Sequence, residues 1–357
     1  MMYTKNKKYA LLLVAAILAF SCSAKKGAAG AGETISWTDS AGRTVVIPKN
    51  IQRIAPSGPL AQIVLYSLCP DKVIGWSSSF SDSQKKYFDE KHWSKPTFGQ
   101  FYGRNVNLNM EALIAAAPDI IIDIGEPKRN IKDDMDGLQA QLGIPVIFVE
   151  AVFETMSGAY LALGEILDEG NRAQLLSAYV EETLTEAAAK KVLAQQGAPA
   201  RVYFGSGKTG QETNGRGSIH ADVIEYIGAE NVAELQKRSN AGMDPVSMEQ
   251  IILWNPDIAL FDSKGAYESA AGDPAWQSVS AIQRGAYYLA PLEPYSWMGR
   301  PPSVNRLIGI KWLGNLLFPA VFQDDMIAEA KRFYSLFYHY RLSDDEARTL
   351  MAESTFK

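Results

Sequence analysis

The sequence contains few histidines and cysteines, and it has no cluster of basic residues. Its 357 residues include three histidines and two cysteines, and the formal net charge is −5. Nucleic acid is not an expected partner, because binding to phosphates needs clustered Lys and Arg. A zinc or manganese site needs several His and carboxylate ligands, whereas His92, His220 and His339 lie in different segments. We therefore expect no site for a bare metal ion, and any metal should arrive inside a ligand.

The sequence also lacks the motifs of nucleophilic and nucleotide-binding enzymes. It contains no G-x-S-x-G segment and no histidine in a glycine-flanked loop, although nucleophilic catalysis needs a base beside the nucleophile. The segment G-S-G-K-T-G at 205–210 lacks the four-residue spacing before Gly-Lys that a phosphate loop requires. Catalytic carboxylate pairs stay open as an alternative, because Asp and Glu are abundant. We expect a protein that is not an enzyme; an extracytoplasmic enzyme and a structural surface protein are the alternatives.

The apolar run near the N-terminus is too short to cross a membrane as a helix. Residues 10–20 are eleven apolar residues that follow three lysines, which is typical of a secretory signal segment. A small residue and Cys22 follow, and they resemble the bacterial lipobox, whose cysteine is lipidated and becomes the mature N-terminus. We expect a signal segment over 1–22 and a flexible tether over 23–34, with cleavage near Ala24 as the alternative. The protein would then be extracytoplasmic and anchored to a membrane through Cys22.

Strand-like and helix-like segments alternate along most of the chain. Short apolar β-type runs bounded by Pro and Gly are separated by amphipathic helices, which is typical of α/β folds with parallel sheets. The expected elements of the first half are a hairpin over 35–48, helices over 60–68 and 128–142, and strands over 72–76, 117–124 and 145–149.

A long helical segment separates two α/β regions. Between residues 154 and 196 apolar residues recur at helical spacing, with one interruption at 168–170. Its second part, 171–196, would be about 39 Å long. That length is sufficient to run between two lobes, and a helical hairpin is the alternative. The expected domains are an N-terminal α/β lobe over 35–168, a linking helix over 169–198 and a C-terminal α/β lobe over 199–357.

One short segment occurs twice in the chain. Residues 109–123 read N-M-E-A-L-I-A-A-A-P-D-I-I-I-D and residues 247–261 read S-M-E-Q-I-I-L-W-N-P-D-I-A-L-F, with six of fifteen positions identical. A second pair of similar segments, around Tyr66 and Tyr226, occurs in the same order. Chance similarity could explain one such pair, but two pairs in the same order predict an internal repeat of two lobes.

Several of these segments together resemble one family of bacterial proteins. They are T-D-S-A-G-R-T-V-V-I-P at 38–48, R-I-A-P-S-G-P at 53–59, D-K-V-I-G at 71–75, the repeated segment at 109–122, and P-P-S-V-N-R-L-I-G-I-K-W-L-G-N-L-L-F-P at 301–319. The family comprises the substrate-binding proteins of ABC importers for iron-siderophore, haem, cobalamin and related metal complexes. The resemblance implies two α/β lobes joined by one long helix, with the ligand in the cleft between them. It also implies a monomer without a resident cofactor.

Loops at the carboxyl ends of the strands form the expected ligand site, because open α/β sheets bind ligands there. Arginines pair with anionic oxygens and aromatic rings cover apolar chelates, so the loops at 98–104 and 294–303 favour a large anionic ligand. A ferric siderophore is the first candidate, and haem, cobalamin and a molybdate or tungstate oxyanion are alternatives. The candidate ligand-binding residues are Ser57, Trp76, Ser78, Tyr102, Arg104, Lys208, Arg216, Tyr295, Trp297 and Arg300.

The glutamates of the repeated segment, Glu111 and Glu249, have two interpretations. The resemblance implies that one acidic residue on each lobe meets arginines of the ABC permease dimer in the membrane. Opposite charges at two matched points would orient the complex and accelerate docking. The alternative is a role in helix initiation, because Asn109 and Ser247 are good N-caps and a Glu in the first turn stabilises a helix. We expect both glutamates to serve docking.

Overall fold

The computed structural model describes residues 32–102, 106–235, 242–352 and 354. The expected signal segment over 1–22 with its Cys22, the tether up to residue 31 and the candidate ligand residue Arg104 lie outside these ranges. No helix within the described ranges is long and apolar enough to cross a membrane.

The N-terminal lobe is built on a sheet of three parallel strands. A separate antiparallel hairpin precedes this sheet, as the alternating sequence predicts. The elements are β1 (Thr34–Thr38), β2 (Thr44–Pro48), β3 (Ile54–Pro56), α1 (Pro59–Leu68), α2 (Asp82–Lys85), α3 (Met110–Ala116), β4 (Ile120–Gly125), α4 (Ile131–Leu142) and β5 (Val146–Glu150). Strand β4 lies between β3 and β5 and is wholly buried, as expected of a strand covered on both faces.

Two consecutive helices, α5 (Met156–Ile166) and α6 (Gly170–Ala194), follow the first sheet and pack against each other. They are separated where the sequence predicts a break, at Asp168, whose φ of 54° interrupts the helical path. Helix α6 has 25 residues and is therefore about 38 Å long. The long helix expected between the lobes is present.

The C-terminal lobe has a sheet of six strands with helices around it. The elements are β6 (Arg201–Ser206), β7 (Glu212–Thr213), α7 (Asp222–Tyr226), β8 (Glu230–Asn231), β9 (Asp244–Pro245), α8 (Met248–Trp254), β10 (Ile258–Phe261), α9 (Lys264–Gly272), α10 (Ser280–Gln283), β11 (Tyr287–Leu289), α11 (Asn305–Leu317), α12 (Met326–Phe337) and α13 (Asp344–Leu350). The strand order is β11-β10-β6-β7-β9, and β8 also pairs with β6.

This second sheet has the parallel strands that the sequence predicts and an antiparallel edge that it does not. Strands β11, β10, β6 and β8 are parallel to one another, whereas β7 pairs antiparallel with both β6 and β9. The turn between β6 and β7 contains Gly207 and Gly210, both with a φ of 77°. Such a tight turn can join only antiparallel neighbours, because a parallel connection needs a long crossover.

The strand expected over 72–76 is absent from the structure. Val73 forms an isolated parallel bridge with Ile54, and Trp76 forms another with Thr97. The two ends of the segment therefore bond to different neighbours, and no continuous ladder forms. Its apolar sequence reflects burial rather than strand pairing, since Val73 and Trp76 are both fully buried.

The repeated segment folds in the same way in both lobes. Helices α3 and α8 are each seven residues long and begin with a side-chain cap, from Asn109 and Ser247 respectively. Each ends at a residue with a left-handed backbone, Ala117 with a φ of 45° and Asn255 with a φ of 44°. The internal repeat predicted from the sequence is thus a repeated structural unit, and its glutamates lie in the first turns of the two helices.

An arginine closes the carboxyl end of each repeated helix. Arg53 donates to the last carbonyl oxygens of α3, and Arg201 does the same at α8. Asp119 and Asp257 directly precede strands β4 and β10, and their carboxylates accept the backbone N–H groups of Arg53 and Arg201 at 2.8 and 3.2 Å. The Pro-Asp sequence common to both segments therefore connects the end of a helix to the start of the next strand.

Arg306 of α11 links the two lobes through a buried contact. Its side chain is fully buried and donates to the carboxylate of Asp222 in α7. The guanidinium also stacks on the ring of Phe153, which follows β5 of the N-terminal lobe, at 4.2 Å from the ring centroid. Residues of α11, of α7 and of the segment after β5 therefore meet at this contact.

We expect Gly309→Ala to destabilise the protein and Gly137→Ala to stabilise it. A Cβ at Gly309 in α11 would meet the Trp297 carbonyl oxygen at 1.9 Å, whereas one at Gly137 in α4 would meet nothing within 4 Å. The first substitution should lower the free energy of unfolding by about 1–3 kcal/mol or more through overpacking. The second should raise it by roughly 0.5–1 kcal/mol, because Gly costs entropy in a helix. Urea unfolding of both variants measures the difference, and equal stabilities would contradict the close packing of α11.

Candidate ligand-binding cleft

A cleft with a volume of about 740 Å³ lies between the two lobes, and a recess of about 130 Å³ adjoins it. The recess and the cleft share Pro59, Leu60, Tyr102, His220 and Pro302, so they form one continuous space. The first three of these residues belong to the N-terminal lobe and the other two to the C-terminal lobe. Both sheets direct strand ends toward this space, which is where open α/β sheets bind ligands.

The N-terminal wall of the recess carries a buried serine and a buried aspartate. The parallel register pairs Pro56 of β3 with Ile122 of β4, so the next residues, Ser57 and Asp123, are neighbours. The Ser57 hydroxyl donates to Asp123 Oδ1. Burial raises the pKa of the Asp123 carboxyl, and the hydrogen bond from Ser57 opposes part of that rise. This wall therefore presents a carboxyl that resists ionisation.

The C-terminal wall carries a second pair of the same kind. Ser206 ends β6 and Asp262 follows β10, and the Ser206 hydroxyl donates to Asp262 Oδ2 at 2.9 Å. Arg300 approaches the same oxygen with Nη1 at 3.4 Å. Burial raises the pKa of the Asp262 carboxyl, and the positive charge of Arg300 opposes the rise. Each wall thus pairs a serine with a buried aspartate near the carboxyl ends of neighbouring strands.

Arg300, one of the candidate ligand residues, places a partly exposed positive charge in the cleft. Its side chain is 41% exposed, and the guanidinium contacts the Met243 sulfur as well as Asp262. The preceding Gly299 has a φ of 120°, which L-residues rarely adopt, so glycine allows the chain to turn there. Arg300 lies in the cleft as the sequence predicts.

Two of the predicted aromatic residues, Tyr102 and Tyr295, also line the cleft. The Tyr102 hydroxyl donates to Asp134 Oδ2 at 2.8 Å, and the Tyr295 hydroxyl accepts from Gln62 Nε2 at 3.3 Å. Burial raises the pKa of both phenols. Their hydroxyls are held by the protein, so each ring has a defined position. Ser78 lies at the rim and is exposed.

Trp76 and Trp297 are buried in the hydrophobic core and do not line the cleft, which corrects the expectation that they contact the ligand. Both side chains have no exposed surface. The indole N–H of Trp76 donates to the His92 carbonyl at 2.8 Å, and that of Trp297 donates to the Tyr334 hydroxyl at 3.3 Å. A large aromatic ring with its N–H satisfied is stable inside a core. The apolar segments that contain these residues serve packing.

Lys208 and Arg216 also lie away from the cleft lining. Lys208 is exposed on the turn between β6 and β7. Arg216 forms ion pairs with three glutamates, at 3.0 Å from both Glu230 and Glu234 and at 4.0 Å from Glu225. Its charge is matched within the C-terminal lobe, and the expectation of a ligand contact is corrected for this residue.

The sequence analysis did not identify Asp123, Asp262 or His220 as residues of the cleft. A signal existed for the two aspartates, because each directly follows a run of apolar residues, in I-I-I-D and A-L-F-D. His220 lines both the recess and the cleft, and burial lowers its pKa. Within the described ranges no group of three His, Cys, Asp or Glu side chains is arranged to hold a metal ion.

Comparison with known proteins defines the class. The profile described as periplasmic binding protein matches residues 64–293, which is more than half of the chain. The chain belongs to the periplasmic binding protein family. A vitamin B12-binding protein of Salmonella typhi is 29% identical over 160 residues, and that of Salmonella paratyphi A is 28% identical over the same length. The alignments cover 44% of this chain and 56% of those proteins, so the match spans about half of their length.

Solved structures have the same fold over most of the chain. An ABC transporter solute binding protein from Sulfurospirillum deleyianum has a TM-score of 0.82 and 25% identity, covering 89% of this chain and 99% of that one. A periplasmic solute binding protein from Veillonella parvula has a TM-score of 0.69 and 26% identity, covering 90% and 98%. The molybdate-bound MolA of Haemophilus influenzae, at 19% identity and a TM-score of 0.70 over 87% and 99%, shares the fold. The predicted family and two-lobed α/β fold are confirmed.

Asp123→Asn should make the protein more stable at neutral pH than the unsubstituted chain. The raised pKa of Asp123 means that the folded state holds a proton that the unfolded state releases, so the stability that this carboxyl provides is lost as pH rises through its folded value. The amide cannot ionise, so the advantage of the variant should grow from pH 4 to pH 7. Urea unfolding across this range measures it.

Asp119→Asn, at the other end of the same strand, is the matched control. The Asp119 carboxylate accepts two backbone N–H groups, so this variant should lose stability. A pH-independent difference for Asp123→Asn would contradict a carboxyl that resists ionisation.

Proposed function

We propose that this protein is the solute-binding component of an ABC importer, which captures a metal complex in the cleft and delivers it to a permease. The supporting observation is a cleft of about 740 Å³ lined by both lobes. Pockets of roughly 300–1,000 Å³ suit ligands of the size of drug molecules. A ferric siderophore, cobalamin and haem are the candidate ligands. The protein acts as a carrier without catalysis, and the sequence adds an extracytoplasmic location with a lipid anchor at Cys22.

The volume of the main cleft suits a chelate, whereas a free oxyanion would fill only the adjoining recess of about 130 Å³. Molybdate has four oxygens, each about the size of a water molecule of about 30 Å³, so the ion needs on the order of 120 Å³. That is about a sixth of the cleft. Arg300 and the two tyrosines line the larger space, where one charge and two rings can meet separate parts of an extended ligand.

The geometry of the two glutamates supports the permease as partner. Glu111 and Glu249 are exposed in the first turns of matched helices, whose capping is already provided by Asn109 and Ser247. The N–H of Glu249 and the Ser247 side chain hold the pKa of the Glu249 carboxyl below its usual range, so it stays ionised. Each lobe therefore presents a negative charge at an equivalent place, which suits docking to two positive sites on a dimeric permease.

Calorimetric titration of the purified full-length protein with a panel of metal complexes tests the carrier function. The panel contains a ferric tris-catecholate, a neutral ferric trihydroxamate, haem, cyanocobalamin and molybdate. We expect at least one metal complex to bind with a Kd of about 1 μM or tighter and to be released chemically unchanged. Failure of all five compounds to bind, or chemical conversion of any of them, would count against the proposal.

Replacing both docking glutamates with lysine should abolish uptake and leave ligand binding intact. In Glu111→Lys/Glu249→Lys, repulsion replaces attraction at both contact points, whereas the cleft is unchanged. Uptake of the complex identified by the panel into cells that contain the importer measures docking, and calorimetry measures binding.

A second double variant, Glu165→Lys/Asp345→Lys, makes the same charge change at two other exposed helical positions. It should keep normal uptake. If this control also loses uptake, the loss is caused by the change in net charge and not by the two docking positions. If Glu111→Lys/Glu249→Lys binds ligand poorly, the two glutamates are not specific docking residues.

A further inference from the structure

The charged side chains of the cleft indicate the charge of its ligand. A site for a multiply charged anion normally presents an excess of positive charge. The described part of the cleft and its recess has no such excess. Its acidic residues are Asp123, Glu126, Asp262 and Glu293, and its basic residues are Lys128, Lys264 and Arg300.

The three basic groups already have carboxylate partners. Lys128 Nζ lies 3.2 Å from Glu126 Oε1, and Arg300 Nη1 lies 3.4 Å from Asp262 Oδ2. Lys264 is 3.9 Å from Glu268 on the exposed side of α9. An anion entering the cleft would compete with these carboxylates, so the net attraction that the described residues offer it is small.

The buried aspartates have more capacity to accept hydrogen bonds than the protein fills. The Asp262 side chain is 3% exposed, and no donor in the described part of the chain reaches its Oδ1 atom. Asp123 receives the Ser57 hydroxyl on Oδ1. A buried acceptor without a donor is costly, which makes a ligand N–H or O–H a favourable partner for Asp262.

We propose that the cleft selects a metal complex that is neutral or cationic and carries N–H or O–H donors at its periphery, with Asp262 Oδ1 accepting one of them. The inference rests on the proposed carrier function and identifies its ligand class. The Asp262 carboxylate, which Arg300 approaches at 3.4 Å, also repels anionic complexes, so the ligand is selected by an unfavourable contact as well as by a favourable one. Carboxamide and peptide amide groups are the donors that suit this arrangement.

Two neutral complexes and one anionic complex test the selectivity of the unsubstituted protein at pH 7. Cyanocobalamin carries peripheral carboxamides, a neutral ferric trihydroxamate peptide carries amide N–H groups, and a ferric tris-catecholate carries three negative charges. At least one neutral complex should bind about 10-fold more tightly than the catecholate, a difference that calorimetry resolves.

Asp262→Asn should change the two kinds of binding in opposite directions. Without the charged acceptor, the neutral complex should bind about 10-fold more weakly or worse. Without the repulsion, the catecholate should bind more tightly. A misfolded variant cannot produce effects of opposite sign. Asp257→Asn, at the other end of β10, is the matched control and should leave both Kd values unchanged.

The outcomes separate the inference from the proposed function. Tighter binding of the catecholate by the unsubstituted protein overturns the inference but leaves the carrier function in place. Equal weakening of both complexes in Asp262→Asn also overturns it, because Asp262 would then only support the fold. Binding of none of the complexes overturns the carrier function itself.

Discussion

The buried guanidinium of Arg306 is the contact on which the arrangement of the cleft depends. It joins α11 to Asp222 of α7 and to the Phe153 ring of the N-terminal lobe. Removing one member of such a buried pair costs about 3–5 kcal/mol, because the other charge is left without a partner, so the positions of these elements depend on each other. His220 lies just before α7 and Pro302 just before α11, and both line the cleft. The interaction that joins the lobes therefore also positions the C-terminal wall.

The cleft contains features that work against the stability of the fold. Asp123 is buried within β4 and Asp262 is buried directly after β10, and burial raises the pKa of both carboxyls. A residue chosen for stability alone would be apolar at these positions, as the preceding residues of β4 and β10 are. Their presence where the two lobes meet supports the proposed binding function of the cleft, because binding sites commonly sacrifice stability for recognition. The neighbouring serines offset part of the cost by donating a hydrogen bond to each carboxyl.

Most of the secondary structure could be predicted, because its signals are local. The break at Asp168 divides α5 from α6 as the helical spacing indicates, and the caps at Asn109 and Ser247 start α3 and α8. Prediction failed for the segment 72–76, whose apolar residues are buried without forming a ladder. It also failed for the antiparallel edge of the second sheet, because strand direction depends on which distant segment lies alongside.

By itself, the sequence determined the two-lobed α/β fold, the internal repeat and the family, because periodicity, caps and repeated motifs are read over a few neighbouring residues. Only the tertiary structure decided which side chains meet. Ser57 contacts Asp123 across 66 residues and Ser206 contacts Asp262 across 56, through strand pairing that no short segment specifies. Packing likewise moved Trp297 into the core, where its ring gains burial. The arginines and aromatic residues of the loops favoured an anionic ligand when only the sequence was considered. The structure pairs the described cationic side chains with carboxylates and buries Asp262, and this geometry supports a ligand that donates hydrogen bonds.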